Sequence, residues 1–139
     1  MKIEVSNGEL VDKVTILTIK LEKIKSPAKL ANIRREVGPL QKAMHAIGID
    51  ETDKRFTRLL QINYRLWEIE DTIREKEQHK EFDEAFIQLA RQVYHENDRR
   101  SAVKREINLS TGSSIIEEKQ YADYDKHLVE AGRGNAIEG

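Results

Sequence analysis

The sequence predicts an all-α protein: an up-down four-helix bundle with a kinked second helix, a short N-terminal extended segment and a C-terminal tail. Three observations carry that prediction. Apolar residues recur at 3-4 spacing through four long segments, the period of a helix that buries one face. The breaks between those segments are short, so consecutive helices turn back on one another. Charged residues make up 35% of the 139 and hydrophobic ones 38%, with two prolines and seven glycines, which suits helices with solvated outer faces.

Each element has its own signature. Residues 1–5 alternate Met1, Ile3 and Val5 with Lys2 and Glu4, the period-2 pattern of a short half-buried strand. Ser6 and Glu9 have capping-box spacing, so a first helix begins near Gly8 and carries Leu10, Val14, Leu17, Leu21 and Ile24. Ser26 and Pro27 end it and start the second helix, as N-cap and first helical residue. That helix holds Leu30, Ile33, Val37, Leu40, Met44 and Ile47, with Gly38 and Pro39 in its middle. A proline inside a helix removes one backbone bond and disfavours helical geometry just before it, which predicts a kink near Val37 or two shorter helices.

Gly48 fits the residue just beyond a helix end, and Asp50 or Thr52 is placed to cap a third helix running to about Lys80. Its stripe is Phe56, Leu59, Leu60, Asn63, Leu66, Trp67, Glu70 and Ile73. After a turn at 78–81 the fourth helix spans residues 82–110, and Thr111 with Gly112 ends it. Ser114 and Glu117 repeat the capping-box spacing, so the tail reads as helical towards Gly132. One helical domain over 1–132 and a flexible tail over 133–139 follow from this.

The fourth helix carries the one pointer to a site. Its stripe runs Phe86, Leu89, Val93, then Asn97 and Arg100, then Val103 and Ile107, polar in the middle where it should be apolar. Folding the third and fourth helices into a hairpin near residue 80 sets Asn63 opposite Asn97, with Arg100 one turn on and the Pro39 kink near the same layer. One reading is a self-satisfied network that fixes register. The other is a ligand site of Asn63, Asn97, Arg100 and Arg34 that holds a small anion through paired hydrogen bonds.

Several function classes find little support. A net charge of −1 offers no basic field for nucleic acid, and no run of 18 apolar residues exists for membrane insertion. With no cysteine, disulfides and thiolate chemistry are excluded. His45, His79, His95 and His127 share no ligand spacing, and no serine or threonine has a visible acid–base partner. Glu9 with Asp12 and Glu68 with Asp71 are i,i+3 acidic pairs of the kind helical metal-dependent nucleotide pyrophosphohydrolases use, but they lie a whole helix apart. A chorismate-mutase-like clamp from Lys13, Arg34, Arg100 and Lys104 has no specific motif behind it. The expectation is no resident metal and no cofactor. The apolar tail residues Ile115, Ile116, Tyr121, Tyr124, Leu128 and Val129 need cover, which predicts a homodimer or a protein partner.

The blocks NGELVDKVTIL at 7–17, LWEIEDTIR at 66–74, YHENDRRSAVKREIN at 94–108 and EEKQY at 117–121 resemble a family of small uncharacterised bacterial proteins, a domain of unknown function. The resemblance implies a bacterial cytoplasmic protein, some of whose relatives are associated with lipopolysaccharide biosynthesis, and it supplies no activity to place on residues. The leading expectation is a non-catalytic scaffold or interaction module linked to surface-polysaccharide biosynthesis. The alternative is an anion binder or helical enzyme built on the polar layer. On the structural reading, Arg100→Met is expected to be nearly neutral or mildly stabilising.

Overall fold

The computed structural model describes residues 1–124. Four helices follow in order, α1 (Asn7–Lys23), α2 (Pro27–Ala46), α3 (Lys54–Gln78) and α4 (Glu84–Ser110). The protein is all-α, and among the described residues there is no strand.

Local chemistry explains most of the helix ends. The Ser6 Oγ accepts from the Glu9 amide at 3.0 Å, and Ser26 with Pro27 opens α2. Asp83 caps α4 by accepting from the Phe86 amide at 2.9 Å. At α3 the cap is Asp53, which accepts from Arg55, rather than Asp50 or Thr52. Asp50 is occupied one turn earlier, where its carboxylate accepts from both the amide and the hydroxyl of Thr52. Gly48 and Gly112, at φ 89° and 67°, end α2 and α4 in the left-handed region that glycine adopts without a steric penalty.

Three expectations are corrected. Residues 1–5 have no strand partner and form no strand, and Met1, Ile3 and Val5 are exposed. Of the two outcomes expected at Pro39, division into two shorter helices does not occur: α2 is continuous with Pro39 inside it. Pro39 is exposed, as is Arg35, whose carbonyl it leaves without an amide, so the break in the bonding falls on the solvent side of the helix. Gly38 helps, because it has no Cβ to meet the proline ring. Residues 115–124 are not helical but run back along α4 in the opposite direction. Leu128, Val129 and the expected boundary at residue 132 lie outside the described residues.

The helices alternate in direction, but the bundle is not a square of four. α3 and α4 form the expected hairpin, α1 lies against both, and the backbone of α2 comes near α1 alone. α1 is therefore covered on two sides. Leu17, Leu21 and Ile24 face Ile33 and Val37 of α2. Val11 and Val14 instead join Phe56, Leu59, Ile62, Val103 and Ile107 in the main core. Met44 and Ile49 close the end of that core at 0% exposure, and each such side chain contributes about 1.5–3 kcal/mol through removal from water.

Candidate functional site: a polar clasp and the cleft beside it

The polar turn of α4 meets α1, with Asp12 at the centre. Asp12 is 1% exposed and takes two hydrogen bonds from Arg100, Nε to Oδ1 at 2.9 Å and Nη2 to Oδ2 at 2.6 Å. This is the paired geometry that suits a planar guanidinium to a carboxylate. Asn63 of α3 donates to Asp12 Oδ1 at 2.9 Å and to Thr15 Oγ1 at 2.8 Å, while the Thr15 hydroxyl donates to the Asp12 carbonyl at 2.7 Å. One turn along α4, Lys104 pairs with Glu9 at 2.7 Å. Three helices are thus joined by charge-assisted bonds in a region shielded from solvent, where such bonds are stronger.

The clasp continues to both ends of the contact. The Gly8 amide donates to the Asn108 Oδ1 at 2.6 Å, and a Cβ at Gly8 would stand 2.4 Å from the Lys104 carbonyl oxygen. Glycine is what lets α1 and α4 approach so closely. Towards α3, the buried Glu96 accepts from Arg65 at 3.2 Å and from Arg99 at 2.9 Å. No buried side-chain nitrogen or oxygen among the described residues lacks a partner. Hydrogen bonding to Asp12 pushes Arg100 above its ordinary pKa, against the opposing effect of burial.

Asn63, Asn97 and Arg100 do come together, lining one groove with Trp67 and Glu70. The two asparagines do not bond to each other: Asn63 turns to α1, and Asn97 accepts from Arg100 at 3.4 Å. Arg34 does not join them; it is exposed on α2, whose backbone stays clear of α3 and α4. Lys13 is likewise drawn away, pairing with Glu36 of α2 at 3.6 Å. Glu9 and Asp12, the i,i+3 acidic pair, each face a cation of α4. Among the described residues no three His, Asp or Glu gather in a metal-binding group.

Asp12, Thr15 and Gly8 were missed as site residues because the apolar stripe of α1 was read as its one buried face, and the later part of that stripe, Leu17, Leu21 and Ile24, packs on α2. The second face was written in the sequence as Gly8, Val11, Asp12, Thr15 and Ile19, a 3-4 repeat whose small and polar members hide it from a hydrophobic pattern.

On the outer side of α4 the returning segment makes a cleft of about 640 Å³. Glu117 fixes the start of this segment, accepting from the Ser6 hydroxyl at 2.7 Å and from Asn108 at 3.1 Å. Partial burial raises the Glu117 pKa, but the bonds from Ser6 and Asn108 and the charge of Lys104 outweigh it and hold the group below its ordinary value. Further on, Lys119 donates to Asp98 at 3.2 Å and Ser101 at 3.1 Å, and the Tyr124 hydroxyl donates to Asp98. Tyr94 and Tyr124 meet edge to face with centroids 4.9 Å apart.

No curated protein and no solved structure matches the chain. A family described only as of unknown function, DUF6165, matches residues 1–126, so the clasp and both walls of the cleft lie within the matched region. The chain therefore belongs to the DUF6165 family of proteins of unknown function.

Proposed function

We propose that the protein is a non-catalytic interaction module that works as a homodimer, with the polar layer serving as an internal clasp. What supports the clasp is that Asp12, Asn63, Arg100 and Lys104 all engage protein partners. What supports the dimer is the first half of α4 and the residues just before it. None of the buried residues of α4 precedes Glu96, and Phe82 and Ile87 are 54% and 48% exposed.

The occupant is a second copy, on grounds of charge. Glu84, Ile87, Gln88 and Arg91 share one exposed helical face at i, i+3, i+4 and i+7. Crossing two copies of this face antiparallel about a two-fold axis near Ile87 sets Glu84 of each opposite Arg91 of the other, as an isologous interface requires. A cytoplasmic address forms part of the same proposal and rests on the sequence expectation; no helix among the described residues is long and apolar enough to cross a membrane. A bacterial setting and a role in surface-polysaccharide assembly rest on the resemblance of the four sequence blocks.

Sedimentation velocity tests the proposal. The chain at micromolar concentration sediments as a dimer, and Ile87→Glu and Arg91→Glu each sediment as monomers with unchanged helical circular dichroism. Combining Glu84→Arg with Arg91→Glu restores the dimer, since the swapped charges again meet. A monomeric wild-type chain, or a dimer indifferent to all three changes, would overturn it.

A further inference from the structure

We propose that the cleft between α4 and residues 119–124 is a binding site for a small phosphate ester that carries a flat ring, a ligand of nucleotide type. At about 640 Å³ the space is far larger than a bare anion and lies within the roughly 300–1,000 Å³ of small-molecule sites. Its lining has a cationic side and an aromatic side.

Arg100, Lys104 and Lys119 supply the charge, against Asp98 as the one carboxylate among the lining residues. The acids that hold Arg100 and Lys104, Asp12 and Glu9, stand on α1 and do not line the cleft. This arrangement fixes the cations without filling them. Arg100 spends Nε and Nη2 on Asp12, while Nη1 makes the long 3.4 Å contact with Asn97, so guanidinium donors remain for an anion. Lys104 gives Glu9 one of the three donors an ammonium carries. Lys119 is held by Asp98 and Ser101 and sits 4.8 Å from the Tyr121 ring centre. Side chains fixed in advance lose little freedom when a ligand arrives.

Tyr94, Tyr121 and Tyr124 supply the rings. Tyr94 and Lys104 are ten residues apart on α4, about 15 Å along the axis, roughly the length of a nucleoside phosphate, and Lys119 with Tyr121 lies at the level of Asp98 and Ser101 between them. Aromatic stacking accepts any base, so the structure assigns the class of ligand and leaves the base open. The proposal is independent of self-association.

Isothermal titration calorimetry on the full chain tests it, with AMP, UMP, adenosine, ribose 5-phosphate and inorganic phosphate as probes. At least one of the two nucleotides is expected to bind with a Kd below about 1 mM, and about tenfold or more tighter than adenosine, ribose 5-phosphate or phosphate. Tyr121→Ser and Lys119→Met, both in the non-helical segment, are each expected to weaken that binding about tenfold with the helical circular dichroism retained, and Tyr121→Ser without altering the unliganded melting temperature. Absence of saturable nucleotide binding would overturn the proposal. So would phosphate binding as tightly as the nucleotides, or nucleotide binding untouched by both substitutions.

Discussion

Asp12 and Arg100 stand 88 positions apart in sequence and are joined by two hydrogen bonds of 2.9 and 2.6 Å, with the carboxylate 1% exposed and the guanidinium side chain 29% exposed. The pair ties α1 to α4 at the level where Asn63 ties α1 to α3.

This pairing revises the expectation for Arg100→Met. An arginine buried alone could be replaced by an apolar side chain at little cost, but here the change strands a buried carboxylate. Breaking such a pair costs about 3–5 kcal/mol, whereas replacing both partners by apolar groups is often neutral or stabilising. Arg100→Met is therefore expected to lower urea-unfolding stability strongly, and Asp12→Leu with Arg100→Met to recover most of the loss. Additive losses in the double variant would show that the two side chains act separately.

Gly8 carries a second prediction. Its Cβ would meet the Lys104 carbonyl oxygen, which is backbone and has no room to rotate away. Gly8→Ala is expected to cost about 1–3 kcal/mol, even though alanine is the better helix former. The Gly8 amide also leans on Asn108, so Asn108→Ala leaves a buried donor unpaired at about 1–3 kcal/mol. Thermal unfolding of the two variants checks both figures; a Gly8→Ala chain as stable as the parent would refute the close approach.

Pro39 is expected to be a weak point rather than a device. Pro39→Ala restores a backbone bond on an exposed face and is predicted to stabilise α2, by up to about 3 kcal/mol. Gly38→Ala should then change sign with its neighbour. Beside Pro39 its Cβ meets the ring and destabilises; in the Pro39→Ala background the same change is expected to stabilise by about 0.5–1 kcal/mol. A double-mutant cycle read by chemical denaturation decides this, and simple additivity would count against a role for Gly38 in keeping α2 unbroken.

Glu117 makes the attachment of residues 115–124 sensitive to acid. Its folded pKa lies below the ordinary value of 4.5, so its contribution is fully present above that value and fades as pH falls through the lower, folded one. Protonation weakens the acceptor that holds Ser6 and Asn108. Amide hydrogen exchange in 118–124 is expected to rise as pH is lowered from about 5 to 3, after correction for intrinsic rates, and Glu117→Gln is expected to flatten that rise. Superimposable profiles for the two proteins would exclude Glu117 as the cause.

How far the sequence could be read depended on what each residue's role required. α4 was visible as a helix because Val103 and Ile107 keep its stripe and Asp83 caps it, but α1 is the helix that meets the other three. Of the basic residues Arg99, Arg100, Lys104 and Arg105, only Arg99 pairs within its own helix, at i,i+3 with Glu96. Arg100, Lys104 and Arg105 reach instead to Asp12, Glu9 and Glu118. Ile62 and Ile69 escaped the stripe of α3 because that helix faces both α1 and α4, which widens the buried arc beyond one 3-4 row.

The sequence by itself determined the four helices, most of their caps and the polar interruption at Asn97 and Arg100, because helical period, capping and turn chemistry are local and act over a few residues. Tertiary structure decided that the backbone of α2 comes near α1 alone, that Gly8 is a point of contact, that Arg100 finds Asp12 and that residues 115–124 lie along α4 unwound. Those outcomes turn on which faces meet across the fold. A carboxylate has the same local signature whether it faces water, a metal or a guanidinium, and only the packing of α1 against α4 selects among them.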